Sequence, residues 1–187
     1  MALPTNPSDR HRSVATTFGD RVAGTTDWSA PAPVPDWTAR DVVDHLLTWF
    51  PEVLAVGGVE LPPGPGVADD PVGAWRHQTE HVQTLLDGPT ADQEFTHPNL
   101  GTMPLGSAID LFYTSDVFMH TWDLARATGQ DDRLDEDTCA TMVEGMAAAE
   151  EMIRSSGQYG PAVPVPDEAS AQDRLIGFIG RDPAWRP

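Results

Sequence analysis

Apolar residues recur at three- and four-residue spacing through five stretches of the chain, and no stretch sustains a period-2 alternation. The first predicted helix runs from about Ser8 to Ala23 and stops near Gly24. In the second, Thr38-Ala-Arg-Asp41 has the spacing of a capping box with Asp in the Glu position. Val42, Val43, Leu46, Leu47, Trp49, Phe50, Val53 and Leu54 follow on one face, until Gly57-Gly58. A third helix spans Pro71 to Leu86, with Val72, Trp75, Val82 and Leu86 in register. A fourth runs from Leu105 to Thr128 and a fifth from Asp135 to Ser155, ended by Gly129 and Gly157.

The connections carry their own signals. Leu61-Pro-Pro-Gly-Pro-Gly66 sustains neither helix nor ladder and reads as loop. Thr90 to Leu105 contains Pro98, Gly101 and Pro104 and predicts a short hairpin or an ordered loop, a length that is more often functional than idle. Gly160 to Pro166 is extended, a short helix follows near Ala169–Ile179, and Gly180-Arg-Asp-Pro-Ala-Trp185 closes the chain. With no internal repeat, the expectation is an all-α helix bundle in one domain over residues 1–187.

Composition narrows the partners. The 187 residues are 40% hydrophobic and 21% charged, a globular balance, and no run approaches the length of a membrane span. The start of the chain lacks the charged and apolar regions of a signal peptide, so the expected compartment is the cytoplasm. The formal charge is −18, from 29 acidic residues against 11 basic ones, all Arg. That balance disfavours nucleic acid and anionic membrane as partners, since both are held by clustered Lys and Arg. The absence of Lys removes Schiff-base and P-loop chemistry, and there is no Gly-x-Ser-x-Gly elbow. Cys139, the only cysteine, lies among Met142, Val143 and Met146 and reads as core filler.

The chemistry concentrates on the fourth helix. At about 100° per residue from Leu105, the stripe of Ile109, Phe112, Tyr113 and Ala127 also contains Asp116, His120 and Asp123. A buried carboxylate without a partner costs several kcal/mol, so something must compensate Asp116. Residues at i and i+4 can converge on one cation, and His45, at the edge of the buried face of the second helix, is the candidate third ligand. An acidic residue four before a histidine arises by chance roughly once in a chain of this composition. Asp41-x-x-x-His45 is another instance, with Asp41 already explained as a cap. An ordinary buried ion pair of Asp116 with His120 therefore stays open. His77 and His81, also four apart, project opposite Trp75, Val82 and Leu86 and read as solvated. His97 lies in the long connection with nothing to fix it, and His11 carries no signal.

Trp37-Thr-Ala-Arg-Asp-Val-Val-Asp-His45-Leu and Asp116-Val-Phe-Met-His120-Thr-Trp-Asp-Leu-Ala-Arg-Ala-Thr-Gly129 resemble the metal-binding proteins related to the N-terminal domain of mycothiol-dependent maleylpyruvate isomerase, in the DinB-like superfamily. The Pro-Ala-Val-Pro-Val-Pro segment and the closing Gly-Arg-Asp-Pro-Ala-Trp are similar to its single-domain branch, so the resemblance covers nearly the whole chain. It implies a DinB-like four-helix bundle holding a divalent metal, zinc before nickel or iron, on His45, Asp116 and His120, where the family's acidic ligand is one methylene longer. Asp123 matches the aspartate of the family's Trp-Asp-Leu-Ala and is assigned to the shell behind the ligands, since ligating imidazoles hand their other N–H to a carboxylate or carbonyl.

The two-domain isomerase completes its site with a C-terminal domain for which 187 residues leave no room, so its own activity is not implied. What the resemblance implies is a metal that lowers the pKa of a small thiol, mycothiol or a relative, for transfer or isomerisation of a small electrophile. A homodimer is left open. The alternatives are a non-catalytic metal- or ligand-binding bundle, and a non-haem Fe(II) oxygenase, which also uses two His and one carboxylate.

Overall fold

The computed structural model describes residues 2–155 and 157–187. It is mostly helical, and one small hairpin is its only sheet among the described residues. Asn6 caps α1 (Pro7–Gly24) by accepting from the Ser8 and Asp9 amides, with Pro7 at the first position, where its missing N–H costs nothing. The Thr38 capping box opens α2 (Ala39–Val56) as expected: Asp41 Oδ2 accepts from the Thr38 amide at 2.7 Å. Asp70 caps α3 (Pro71–Asp87) at Gly73.

α1 packs on α3 and on α5 (Ser115–Thr128), and α2 packs on the same two helices. Phe18, Phe50, Leu46, Val82 and Trp122 fill the space between them, all nearly or completely buried. No helix among the described residues is long and apolar enough to cross a membrane.

The long connection before the fourth predicted helix is the hairpin, β1 (Glu94–His97) antiparallel to β2 (Gly101–Pro104), with Phe95 opposite Met103. Phe95 packs over the end of α2 at Gly57, where a Cβ would overlap its ring. His97, which the sequence left unfixed, is buried in β1 and accepts from the Asn99 amide.

The fourth predicted helix is not uniform. α4 (Leu105–Ala108) passes into a π-helical segment, Ile109–Thr114, before α5 begins. Each residue added by a π turn rotates everything after it by about 100° relative to a regular α-helix. Two positions depart from the regular projection: Phe112, placed on the buried stripe, is only half-buried, and Thr114, placed off it, is buried, while Tyr113 is buried as projected. From Val117 to Ala125 every residue is buried, because the end of the chain crosses the outer side of α5. There Arg126 Nη2 donates to the Pro183 carbonyl and Arg181 reaches Asp123. Gly129 ends α5 in the left-handed conformation, φ 68°, which glycine adopts at no steric cost.

Three further expectations are corrected. The fifth helix is two, α6 (Glu136–Ala148) and α7 (Glu150–Ser155), broken at Ala149 (φ −117°, ψ 16°). Val72 is exposed, because it lies in the first turn of α3, beyond the helices that cover Trp75. His77 and His81 are half-buried, their rings 4.3 Å apart, because the proline-rich loop folds back onto α3 and its Pro62 carbonyl meets His77 Nε2 at 3.0 Å. The short final helix, α8 (Ala171–Phe178), packs on α6 and buries Leu175 and Ile176 beside Cys139.

Candidate metal centre

His45 projects from the middle of α2 and Asp116 and His120 from successive turns of α5, and the packing of these two helices brings the three together. His45 Nε2 lies 3.1 Å from Asp116 Oδ2, and His120 Nε2 lies 3.5 Å from Asp116 Oδ1. One ligand atom from each falls within 4.8 Å of the others, a set that could hold a metal ion. Ligand atoms bound at ~2.0–2.2 Å around a tetrahedral ion stand about 3.3 Å apart; each imidazole stands near that distance from one Asp116 oxygen, His45 from Oδ2 and His120 from Oδ1.

The protons sharpen this. His120 Nδ1 is 2.8 Å from Asp123 Oδ2, and Asp123 is completely buried. Burial alone pushes the Asp123 carboxyl up, but the charge of Arg181 and the hydrogen bond from His120 outweigh it and hold it below the usual range. An ionised carboxylate only accepts, so Nδ1 carries the ring's proton. Nε2 then faces Asp116 Oδ1, where either a proton on Nε2 or a cation between the two satisfies the contact.

Asp116 is ionised for a related reason. Burial raises it, but the histidines at 120 and 45 and the Trp49 indole N–H, which donates to Oδ2 at 3.0 Å, pull it below the usual range. A partly exposed His45 edge leaves the centre open on one side; His120, at 4% exposure, is closed off.

Aromatic rings wall the opening. Trp37 stacks on His120 at 5.8 Å between centroids and leans on His45 at 5.1 Å. A tight turn aims it: the Trp37 amide donates to the Val34 carbonyl, its carbonyl accepts from Ala32, and Asp36 takes φ 66°, which Asp tolerates better than most residues. The groove outside is lined by Trp37, His45, Thr48 and Trp49, with Asp36, Asp41, Asp44 and Glu52 also on its walls. Tyr159 is near enough to Asp116 and Arg181 to feel both charges. Burial first, and Asp116 second, push its hydroxyl up to about 12.

The four residues singled out in the sequence thus converge, while His11, His77, His81 and His97 lie outside the cluster. Trp49, one turn after His45, shares the apolar face of α2 in the sequence, a spacing that puts its ring on the side of His45 but carries no sign of its N–H contact with Asp116. Arg181 and Tyr159 carried no such signal, being far along the chain.

Two relatives can be compared with this arrangement: Uncharacterized protein Rv0738 of Mycobacterium tuberculosis (strain ATCC 25618 / H37Rv) and Uncharacterized protein MT0763 of Mycobacterium tuberculosis (strain CDC 1551 / Oshkosh). Each is 30% identical over 158 residues, covering 81% of this chain and 83% of the relative. The chain belongs to their family. No family model matches it, and no solved structure matches it significantly. Neither relative's name assigns an activity.

Proposed function

We propose that the chain is a divalent-metal protein with a DinB-like four-helix bundle, in which His45, Asp116 and His120 hold zinc and a small thiol is used to transfer or isomerise a small electrophile. The observation that carries the proposal is the convergence of His45, Asp116 and His120 from two helices, one ligand atom of each within 4.8 Å of the others, with His120 Nδ1 held 2.8 Å from the buried Asp123. The resemblance of the Trp37–His45 and Asp116–Gly129 blocks to the N-terminal domain of the mycothiol-dependent isomerase agrees with the same three residues.

When bound, the metal would supply Lewis acidity that lowers the pKa of a coordinated thiol. Everything else falls to this chain's own groups. Trp49 steadies Asp116 through Oδ2, Asp123 keeps the His120 Nδ1 proton in place, and Trp37 stacks on His120 and leans on His45. Entry is along the groove at His45, where a neutral or cationic ligand meets no repulsion from Asp36, Asp44 and Glu52.

Elemental analysis of the purified protein, with thiol-conjugation assays against small electrophiles, tests the proposal. Bound zinc near one equivalent, lost in an Asp116→Ala/His120→Ala protein, is the expected result. A double variant holding as much metal as the parent overturns the site. Iron with oxygen uptake would move the chemistry to an oxygenase. A thermal midpoint indifferent to both zinc and chelator would leave only a buried ion pair.

A further inference from the structure

The end of the chain reaches the candidate centre by a specific route. α8 ends at Phe178, the Arg181 amide donates to the Ile176 carbonyl, and Gly180, at φ 87°, crosses the backbone at Gly160. A Cβ on Gly180 would come to 3.0 Å from that backbone, so the crossing depends on a residue without a side chain at 180. The turn sends Arg181 inward against α5. Its Nη2 lies 3.2 Å from Asp123 Oδ2 and its Nε 3.4 Å from Oδ1, while Nη1 donates to the Ile179 carbonyl at 2.9 Å. The guanidinium therefore holds both oxygens of a carboxylate that has no exposure and whose other partner is His120.

We infer that Arg181 is a positioning residue of the metal centre: it fixes the Asp123 carboxylate, which fixes the His120 ring with Nε2 turned toward Asp116. The inference rests on the metal reading of His45, Asp116 and His120 and adds the C-terminal segment to it. Two donors from one planar fork leave Asp123 a single orientation, whereas a single hydrogen bond from His120 would let the carboxylate and the ring turn together. Groups behind metal ligands typically change metal affinity by about 10–100-fold when removed.

The test is zinc affinity, measured by competition with a chromophoric chelator, for the parent, Arg181→Met, Arg181→Lys, Asp123→Asn and the Arg181→Met/Asp123→Asn pair. Circular dichroism in chelator checks folding, and the cobalt(II) absorption spectrum of each reports coordination geometry. Arg181→Met is expected to weaken zinc binding about tenfold or more and alter the cobalt spectrum. Arg181→Lys, which keeps the charge but loses the fork, should fall between it and the parent. The double variant should lose no more than Asp123→Asn alone, because the arginine acts through the aspartate.

Parent-like affinity in a folded Arg181→Met protein, or losses that multiply in the double variant, overturn the inference while leaving the centre intact. If Arg181→Met does not fold, Arg181→Lys decides: weaker binding than the parent supports the relay and equal binding overturns it. A parent that takes up no zinc, or a His120→Ala protein that binds like the parent, overturns the centre and the relay together.

Discussion

His11 offers a direct test of the packing that supports the centre. It is completely buried between α1 and the π-helical segment, its Nδ1 3.2 Å from Thr114 Oγ1, its ring beside Tyr113 and its Nε2 without a hydrogen-bond partner. Burial, and then the neighbouring Arg12 charge, lower its pKa from 6.5 to about 4, against a smaller opposing effect of Asp87. The unfolded chain therefore takes up the proton first as the pH falls, so this contribution to stability is whole above about pH 7.5 and is lost through the window from 6.5 to 4. The loss works out at about 2 kcal/mol at pH 5 and about 3 kcal/mol near pH 4. Urea unfolding of the parent and His11→Gln at pH 7.5, 6, 5 and 4.5 measures it, each protein referred to its own value at pH 7.5. The parent should lose about 2 kcal/mol more than the variant by pH 5. Parallel curves for the two proteins would refute the argument, because the remaining titrating groups are common to both.

One thiol reagent and one further substitution probe the packing. Cys139 is buried between α6 and α8 and burial, followed by Glu136 and Asp135, pushes its thiol up to about 12; a disulfide reagent at pH 7.5 should label it only after denaturant is added. Rapid labelling of the native protein would show that α8 leaves α6 readily. Gly57→Ala places a Cβ inside the Phe95 ring at an ordinary φ of −84°, so its cost is steric alone, about 1–3 kcal/mol on denaturant unfolding. An unchanged midpoint would mean that the hairpin is free to lift from α2.

What could be read from the chain follows the range of the forces involved. The caps at Thr38 and Asp70 and the stop at Gly129 act within a turn, and the helices they bound were legible to within a few residues. Exposure at Val72 and cover over His77 depend on where α2 and the loop through Pro62 end up, which no local period encodes. The π-helical segment is of the same kind. Ile109–Thr114 reads as a good α-helix, and the extra residue in its turn is stabilised by contacts with α1, including the one from His11 to Thr114.

The candidate centre was partly legible because an Asp among apolar neighbours demands compensation wherever the chain puts it. That argument identified Asp116 and His120 and led to His45, but it could not identify Arg181, which meets Asp123 across 58 residues. The π turn connects these observations. It lies immediately before α5, so the winding of Ile109–Thr114 fixes the phase at which Asp116 and His120 are presented. The short Asp arm makes that phase matter more than a Glu would. Asp116 spans to both imidazoles, at 3.1 and 3.5 Å, with Trp49 holding one oxygen, so little reach is left to absorb a misdirected helix. Contacts from α1 meet the π-helical segment just before α5, and Arg181 meets the carboxylate behind His120, so both ends of the chain pack against the element that carries two of the three candidate ligands.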